Sequence, residues 1–349
     1  MLQFFMFKVK ILIFIFCIFS ISHAQENIIA EDELYIDFIY KATSTNVKSI
    51  SEYIDITLID IANYMSGEDN KTIATQDDTI KSNEIKREKY ADKFFLSNKY
   101  IGTTDEPFLR MTPEVIVNSI SKFDDDIRLK INLHLPLSRS KKRFKLFIEN
   151  LNDDKDKSNP EIGVSYFSPL YYNIKSKYSL GIHEIDPFIR ARYSTEFDFA
   201  YWDSELIQIF KYYVNDGFKE KTQIYFDTSF ANLSLFRLFA ERGTEDEISG
   251  MFYSSGVVMF WQPSYSRGLT LNNKVFGATK YRYTKTTKIQ ETSGVHNYLS
   301  SLKYRQNIFR KWLFYEIETG VNFSIVNDYE PNYSLRLSLD IFYADINKQ

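Results

Sequence analysis

Charged side chains of both signs recur at every second position in long stretches of this sequence. Rows of fixed charges can bind or select ions in a water-filled space, or they can neutralise one another where water is excluded. These charges are the candidate functional residues of the chain. Their spacing assigns to one polar face Arg128, Lys130, Arg143, Lys145, Arg190, Arg192, Glu196, Asp227, Arg237, Lys303, Arg305, Glu316, Glu318, Arg336 and Asp340.

Three histidines beyond the N-terminal segment could in principle serve hydrolysis. A hydrolytic site would need a nucleophile within hydrogen-bond reach of such a base. His134 and His183 fall at polar positions of their strands, and His296 falls in or beside a long predicted loop. None lies in a nucleophile motif, and the sequence has no phosphate-binding glycine loop, clustered metal ligands or cofactor fingerprint. We therefore predict no catalytic, cofactor-binding or metal-binding residue.

Strands with a period of two residues must position the charged rows. Residues 127–137 alternate polar and apolar side chains without interruption. In residues 333–343 every odd position is large and apolar or aromatic, while Arg336 and Asp340 stand at even positions. Because successive side chains of a strand point to opposite faces, each stretch has one apolar and one polar face.

Turn signals separate such strands from residue 107 to residue 343, for example at 124–126, 152–160 and 215–217. No helical segment of useful length interrupts them, which argues against a βαβ fold. Counting residues 107–121 as the first strand gives about 14 strands, an even number that leaves both chain ends on one side of a membrane. The sequence thus predicts an all-β chain, with residues 278–297 as its longest loop.

The facing of the strands can be read in two ways from periodicity alone. A soluble sandwich buries its apolar face, whereas a membrane barrel turns that face outward to lipid. The many charges on the polar face, together with an export signal at the N-terminus, favour the membrane barrel. A sheet can cross a bilayer only when it is closed, because lipid offers no partners to backbone amides. We therefore predict a closed antiparallel transmembrane β-barrel over residues 107–343.

The N-terminus has the form of a secretory signal peptide over residues 1–24. Two lysines precede the apolar run 11–19, and residues 22–24 have the small, any, small form of a cleavage site. The mature chain is then expected to begin at Gln25, with an uncleaved anchor as the alternative. The only cysteine, Cys17, would be removed with the signal, so the mature chain would contain no thiol.

Residues 25–106 differ from the rest and are predicted to form a periplasmic segment. Apolar residues recur at helical spacing over 49–66, Ser49 and Glu52 are placed for a capping box, and Gly67 fits the end. This amphipathic helix would pack on the barrel or on a periplasmic partner. Its acidic polar face argues against a membrane-surface helix. Polar residues 67–92 are interpreted as a linker.

The overall charge gives no reason to expect nucleic acid as a partner. The full chain has a net charge of −3, and without the two signal-peptide lysines 41 basic side chains face 46 acidic ones. An acidic balance of this kind repels a polyanion rather than attracting it.

The last strand resembles the C-terminal recognition strand of bacterial outer-membrane β-barrel proteins of the porin-like kind. Its apolar residues alternate back from a final aromatic, with Leu339, Ile341 and Tyr343 as the matching positions. The sequence departs from the family pattern in continuing past that aromatic through a tail, residues 344–349. The resemblance covers about residues 107–343. It implies an outer-membrane location, contact with the lipid bilayer, and recognition by the barrel assembly machinery through these three residues.

Three functions remain open at this point. The leading hypothesis is a passive, porin-like channel for small polar solutes, because charged rows can line an aqueous pore. The same rows could instead fill a narrow barrel, which would make the protein a non-conducting structural or interaction barrel with the helix as a docking or plug element. An outer-membrane lipid-modifying enzyme ranks last, because no catalytic motif supports it.

Overall fold

The computed structural model describes most of residues 108–344 and a few residues before them. The described ranges are 108–120, 126–137, 144–149, 160–168, 170–199, 201–231, 233–245, 248–285, 288–308 and 310–344, together with Thr45, Ser49, Phe94, Phe95 and Ser97. The predicted signal peptide, the body of the predicted helix 49–66, the linker, Arg143 and residues 345–349 lie outside these ranges.

Fourteen antiparallel strands, each paired with its neighbours in sequence, close into a barrel through pairing of the first strand with the last. The prediction of an all-β closed barrel of about 14 strands is confirmed. The strands are β1 (Phe108–Asn118), β2 (Asp126–Leu137), β3 (Phe144–Glu149), β4 (Glu161–Phe167), β5 (Ile174–His183), β6 (Asp186–Phe199), β7 (Trp202–Tyr213), β8 (Gly217–Ala231), β9 (Ser234–Glu245), β10 (Ile248–Ser264), β11 (Arg267–Lys285), β12 (Lys288–Ile308), β13 (Arg310–Ser324) and β14 (Pro331–Ala344).

The two ends of the barrel differ in their connections. The proximal end, as we name it, carries the start of β1 and the end of β14, together with the short turns β8–β9, β10–β11 and β12–β13. The distal end carries the other set of connections, including the 3-10 turn Ile325–Asn327 before β14. Strands β10 to β12 are longer than β1 to β5, so they project at the distal end.

The predicted loop 278–297 is wrong, because β11 runs to Lys285 and β12 starts at Lys288. Residues 279–285 of β11 and 288–296 of β12 form what we name the distal extension. In it the rings of Tyr281 and His296 stack with their centroids 3.8 Å apart. Across the same hairpin, Arg282 Nε donates to Glu291 Oε2 at 2.9 Å, and this bond lowers the pKa of the Glu291 carboxyl. Apart from Ile289 and Val295, the side chains on both faces of the extension are polar or aromatic, so the apolar–polar alternation that marks the other strands is absent.

The barrel is inverted relative to a soluble protein. Large apolar side chains are exposed on its outer face, with Leu180 at 66 % and Ile189 at 55 % of full exposure. The inner face carries charged groups, of which Asp340 and Arg305 are fully buried. Apolar surface is normally what folding removes from water. The described residues include no helix that is long and apolar enough to cross a membrane.

Candidate functional site: the charged barrel interior

Alternation along the strands places the charged rows on the inner face. In β12 and β13 the inward charged residues lie opposite one another in register. Arg305 is opposite Glu316, and Lys303 is opposite Glu318. The same pairing settles two strands whose facing the sequence left ambiguous. Asp227 and Arg237 pair with each other inside the barrel. Because Asp203 is opposite Asp227 and Val258 is opposite Arg237, the odd positions of β7 and the even positions of β10 point inward.

Asp340 is the centre of one buried cluster at the seam between β1 and β14. Arg110 Nε and Arg305 Nη1 each donate to an Asp340 carboxylate oxygen at 2.6 Å, and Thr112 Oγ1 donates at 2.8 Å. Arg305 also pairs with Glu316. We name these five residues the Asp340 cluster. Because Arg305 and Asp340 lie on strands separated by β13, the contact is made across the interior and not only along neighbouring strands.

A second row of ion pairs continues from this cluster toward the distal end. Lys303 Nζ lies 3.9 Å from a carboxylate oxygen of Glu318, and Arg336 Nη1 lies 3.4 Å from the same oxygen. On the neighbouring wall, Lys130 Nζ lies 3.2 Å from Glu114, which Arg128 opposes in register. Lys303 and Arg336 keep about 28 % and 30 % of their side-chain surface exposed, so this part of the wall is in contact with solvent.

Glu149 is the centre of another buried cluster on β2 to β6. Its carboxylate oxygens lie 3.1 Å from His134 Nε2, 3.3 Å from Arg190 Nη2 and 3.8 Å from Lys177 Nζ. We name these four residues the Glu149 cluster. Glu149 is on β3 and Arg190 on β6, so side chains again converge across the curved interior.

The Glu149 cluster extends through Arg190 to a neighbouring carboxylate. Arg190 Nη1 lies 3.3 Å from Glu161 Oε2, and Lys211 on β7 pairs with the other oxygen of Glu161. Tyr213 donates its hydroxyl to that same oxygen at 3.1 Å. The wall from β3 to β7 is therefore one continuous network of paired charges.

The remaining predicted site residues that the structure describes lie on the inner face but are not brought to one point. Arg237 donates two hydrogen bonds to Asp227, at 2.7 and 2.8 Å, and both side chains are buried. Glu196 pairs with Lys175 at 2.6 Å where both are exposed. Lys145 and Arg192 lie in β3 and β6, and Arg143 lies outside the described residues.

Sequence reasoning missed several members of these clusters. Arg110 and Glu114 occupy even positions of β1, Lys177 lies in β5, and Glu161 and Lys211 lie in β4 and β7. The signal for the two β1 residues was present, because Arg110, Thr112 and Glu114 alternate with apolar residues. Pro113 weakened it, since proline is rare inside a paired strand.

The three histidines have separate environments. His134 is buried between Glu149 and the ring of Phe108, whose centroid is 4.4 Å from that of His134. The ring of His183 at the distal end of β5 lies 6.1 Å from that of Tyr213. His296 belongs to β12, and partial burial lowers the pKa of its imidazole. Within the described ranges, no group of three or more His, Cys, Asp or Glu residues is placed to hold a metal ion.

The residues proposed as an assembly signal lie in β14, on the face opposite to Asp340. Ile341 pairs in register with Met111 of β1 and Leu313 of β13. The rings of Tyr343 and Trp312 stack at 6.3 Å with an angle of 15° between their planes, and both side chains are buried. Leu339 is opposite Tyr315. The strand is thus fixed on both sides, and its recognition by assembly machinery stays a prediction.

A hydrogen bond between two buried serines inside the barrel gives a test of the interior packing. Ser165 Oγ and Ser179 Oγ are 2.8 Å apart and both residues are buried. Ser165→Ala is expected to lower the free energy of unfolding by about 1 kcal/mol, because it leaves one hydroxyl without its partner. The double change Ser165→Ala/Ser179→Ala should recover part of that loss. Chemical denaturation monitored by tryptophan fluorescence measures both, with exposed Ser293→Ala as the control; equal losses in all three variants would contradict the expectation.

No protein-family model matches the sequence, and no curated protein is significantly similar to it. Solved structures do match in fold. OprB of Pseudomonas putida has 8 % identity and a TM-score of 0.44, over 70 % of this chain and 96 % of its own. An anion-selective porin from Comamonas acidovorans has 7 % identity and a TM-score of 0.41, over 67 % and 98 %. The NanC porin has 6 % identity and a TM-score of 0.36, over 66 % and 98 %. The likeness to these three structures is one of fold alone.

Proposed function

We propose that this chain is an outer-membrane β-barrel that passes small polar solutes passively through its interior. The observation that carries the proposal is the inverted barrel, with exposed apolar side chains outside and paired charges of both signs inside. Lipid tails are the surroundings in which an apolar outer face is favourable, and a closed sheet leaves no unpaired edge within them. The proximal end then faces the periplasm and the distal end faces outward, with Leu339, Ile341 and Tyr343 available to the assembly machinery.

The interior supports passage rather than simple filling along part of its wall. Lys221, Lys303 and Arg336 are paired with carboxylates, yet each retains between 28 % and 41 % of its side-chain surface. A wall of partly exposed ion pairs can exchange contacts with a passing solute, whereas a packed interior cannot. Rings of charged side chains also set ion preference in channels.

Reconstitution of the pure, folded protein into planar bilayers tests the proposal. We expect discrete conductance steps, because a polar interior open to water carries ions. Absence of steps from protein shown to be folded would contradict the channel function. The variant Lys303→Gln/Arg336→Gln should shift the reversal potential in a salt gradient toward cation preference, since it removes two wall cations. Arg282→Gln, on the distal extension, is the matched control and should leave the reversal potential unchanged.

A non-conducting structural barrel is the second candidate, and the buried charge clusters favour it. The Asp340 and Glu149 clusters are closed to solvent, and Phe108 packs beside His134 and 5.3 Å from the ring of Phe342. If those groups fill the whole cross-section, no solute passes. The bilayer measurement separates the two candidates.

A further inference from the structure

Two phenylalanines that precede the barrel in sequence are packed against its inner wall. Phe95 is only 5 % exposed and forms a cluster with Leu235 and Phe260, against which Phe94 and Val258 also pack. The ring centroids of Phe95 and Phe260 are 5.2 Å apart. These contacts belong to the compact unit Asn46–Gln349 that contains all fourteen strands.

The wall residues in this contact point inward at the proximal end. Leu235 is opposite Phe260 in register and precedes inward-facing Arg237 by two positions. Phe260 lies close to the short turn between β10 and β11, and Leu235 close to the one between β8 and β9. Phe95 therefore lies inside the proximal mouth of the barrel.

Phe94 makes contact with a different part of the same mouth. Its ring centroid is 5.9 Å from that of Phe314 on β13, with the two planes at 88°. The guanidinium carbon of Arg305 also lies 5.9 Å from the ring centroid of Phe94, which places a cation of the Asp340 cluster near the Phe94 ring. The two side chains together thus reach from β9 and β10 to β12 and β13.

Gly268 provides the space that the pair occupies. A Cβ atom at this position of β11 would lie 2.4 Å from Cζ of Phe95 and 3.0 Å from Cε1 of Phe94. Gly268 is opposite Arg305 in register and therefore faces inward. The wall is shaped around the two rings, which an incidental contact of a terminal segment would not require.

We propose that Phe94 and Phe95 form a latch that narrows the periplasmic mouth and holds the channel in a low-conductance state. The inference rests on the proposed channel function. The latch narrows the mouth beside the Asp340 cluster, and it leaves the partly exposed ion pairs of Lys221 and Arg336 open to water. Opening requires the two rings to leave their places on Phe260, Leu235 and Phe314.

Single-channel recordings of latch and wall variants in planar bilayers test the proposal. Phe94→Ala/Phe95→Ala is expected to raise the open fraction about tenfold or more, because each buried phenyl ring contributes to holding the latch. Gly268→Ala should also raise the open fraction, because the added Cβ displaces the rings of Phe94 and Phe95. It does so although it adds a methyl group to the wall. A simple constriction by the wall would instead lower conductance in Gly268→Ala.

Matched controls separate the latch from general effects of the substitutions. Phe197→Ala/Phe199→Ala removes two exposed outer-face phenylalanines of β6, and Gly320→Ala adds a methyl group to β13 where the nearest atom is the Ser334 hydroxyl oxygen. Both should conduct as the unaltered protein does. Conductance that is equal in the unaltered protein, the latch variant and Gly268→Ala would overturn the latch but not the channel. Absence of conductance in every folded variant would overturn both.

A cross-link gives a second measurement, in which residue 95 is fixed covalently to the wall instead of being released from it. In Phe95→Cys/Val258→Cys, a short bis-thiol reagent should join the segment to β10, because Phe95 and Val258 belong to the same cluster. Cross-linked channels are expected to lose most of their openings and to regain them when a cleavable reagent is cleaved. Unchanged openings in the cross-linked protein would contradict the proposal.

Discussion

Asp340→Ala is expected to lower the free energy of unfolding by about 3–5 kcal/mol, the loss typical of removing one partner from a buried ion pair. Asp340 is fully buried and accepts hydrogen bonds from Arg110, Arg305 and Thr112. Without its carboxylate, two guanidinium groups remain in a region closed to water, with Glu316 and Glu114 as the neighbouring carboxylates. The cluster also joins β14 to β1, so its loss weakens the seam that closes the barrel.

Denaturant unfolding in lipid vesicles, followed by the fluorescence of the three tryptophans, measures this loss. Glu196→Ala is the control, because it breaks an exposed pair with Lys175 that contributes about 0–1 kcal/mol. Asp340→Asn should lie between the two, since the amide keeps one acceptor for an arginine. Equal losses for Asp340→Ala and Glu196→Ala would show that the cluster does not stabilise the seam.

The sequence predicts the strands well where one face is apolar and the other polar. Residues 333–343 alternate over their whole length, so β14 and the inward facing of Arg336 and Asp340 follow from period two alone. The distal extension was missed because both of its faces carry polar or aromatic groups. Tyr281, His296 and the Arg282–Glu291 pair hold those strands together through contacts between strands that no local pattern encodes.

The partners of the interior charges could not be predicted, although many of the charges could. Which residues meet depends on the register of each strand pair and on the curvature of the closed sheet, and a single strand contains neither. Glu149 and Arg190 meet although β4 and β5 lie between their strands. Phe94 and Phe95 were missed for a related reason, because they lie in a segment without periodicity and their role comes from the wall on which they pack.

The outer face provides the second large effect, because it distinguishes lipid from water as the surroundings of the barrel. Leu337 lies at the middle of β14, is 43 % exposed, and is opposite Val115 on β1 and Ile317 on β13. If lipid surrounds this face, Leu337→Arg should lower the free energy of unfolding by about 2–4 kcal/mol, the cost of a cation near the bilayer midplane. In water the same change on an exposed surface would alter it by only about 0.5 kcal/mol.

Tyr333→Arg is the matched control, because it lies on the same face of the same strand, near its distal end, and is also exposed. The cost of a lipid-facing arginine falls to about 0–1 kcal/mol near the membrane interface. Unfolding of both variants in vesicles should therefore show a loss that depends on depth. Two small and equal losses would mean that the apolar outer face does not meet lipid, and the channel function would then lose the observation that carries it. A large loss at Leu337 with a small one at Tyr333 would place the middle of β14 in the hydrocarbon core, with the paired charges of its other face lining the interior.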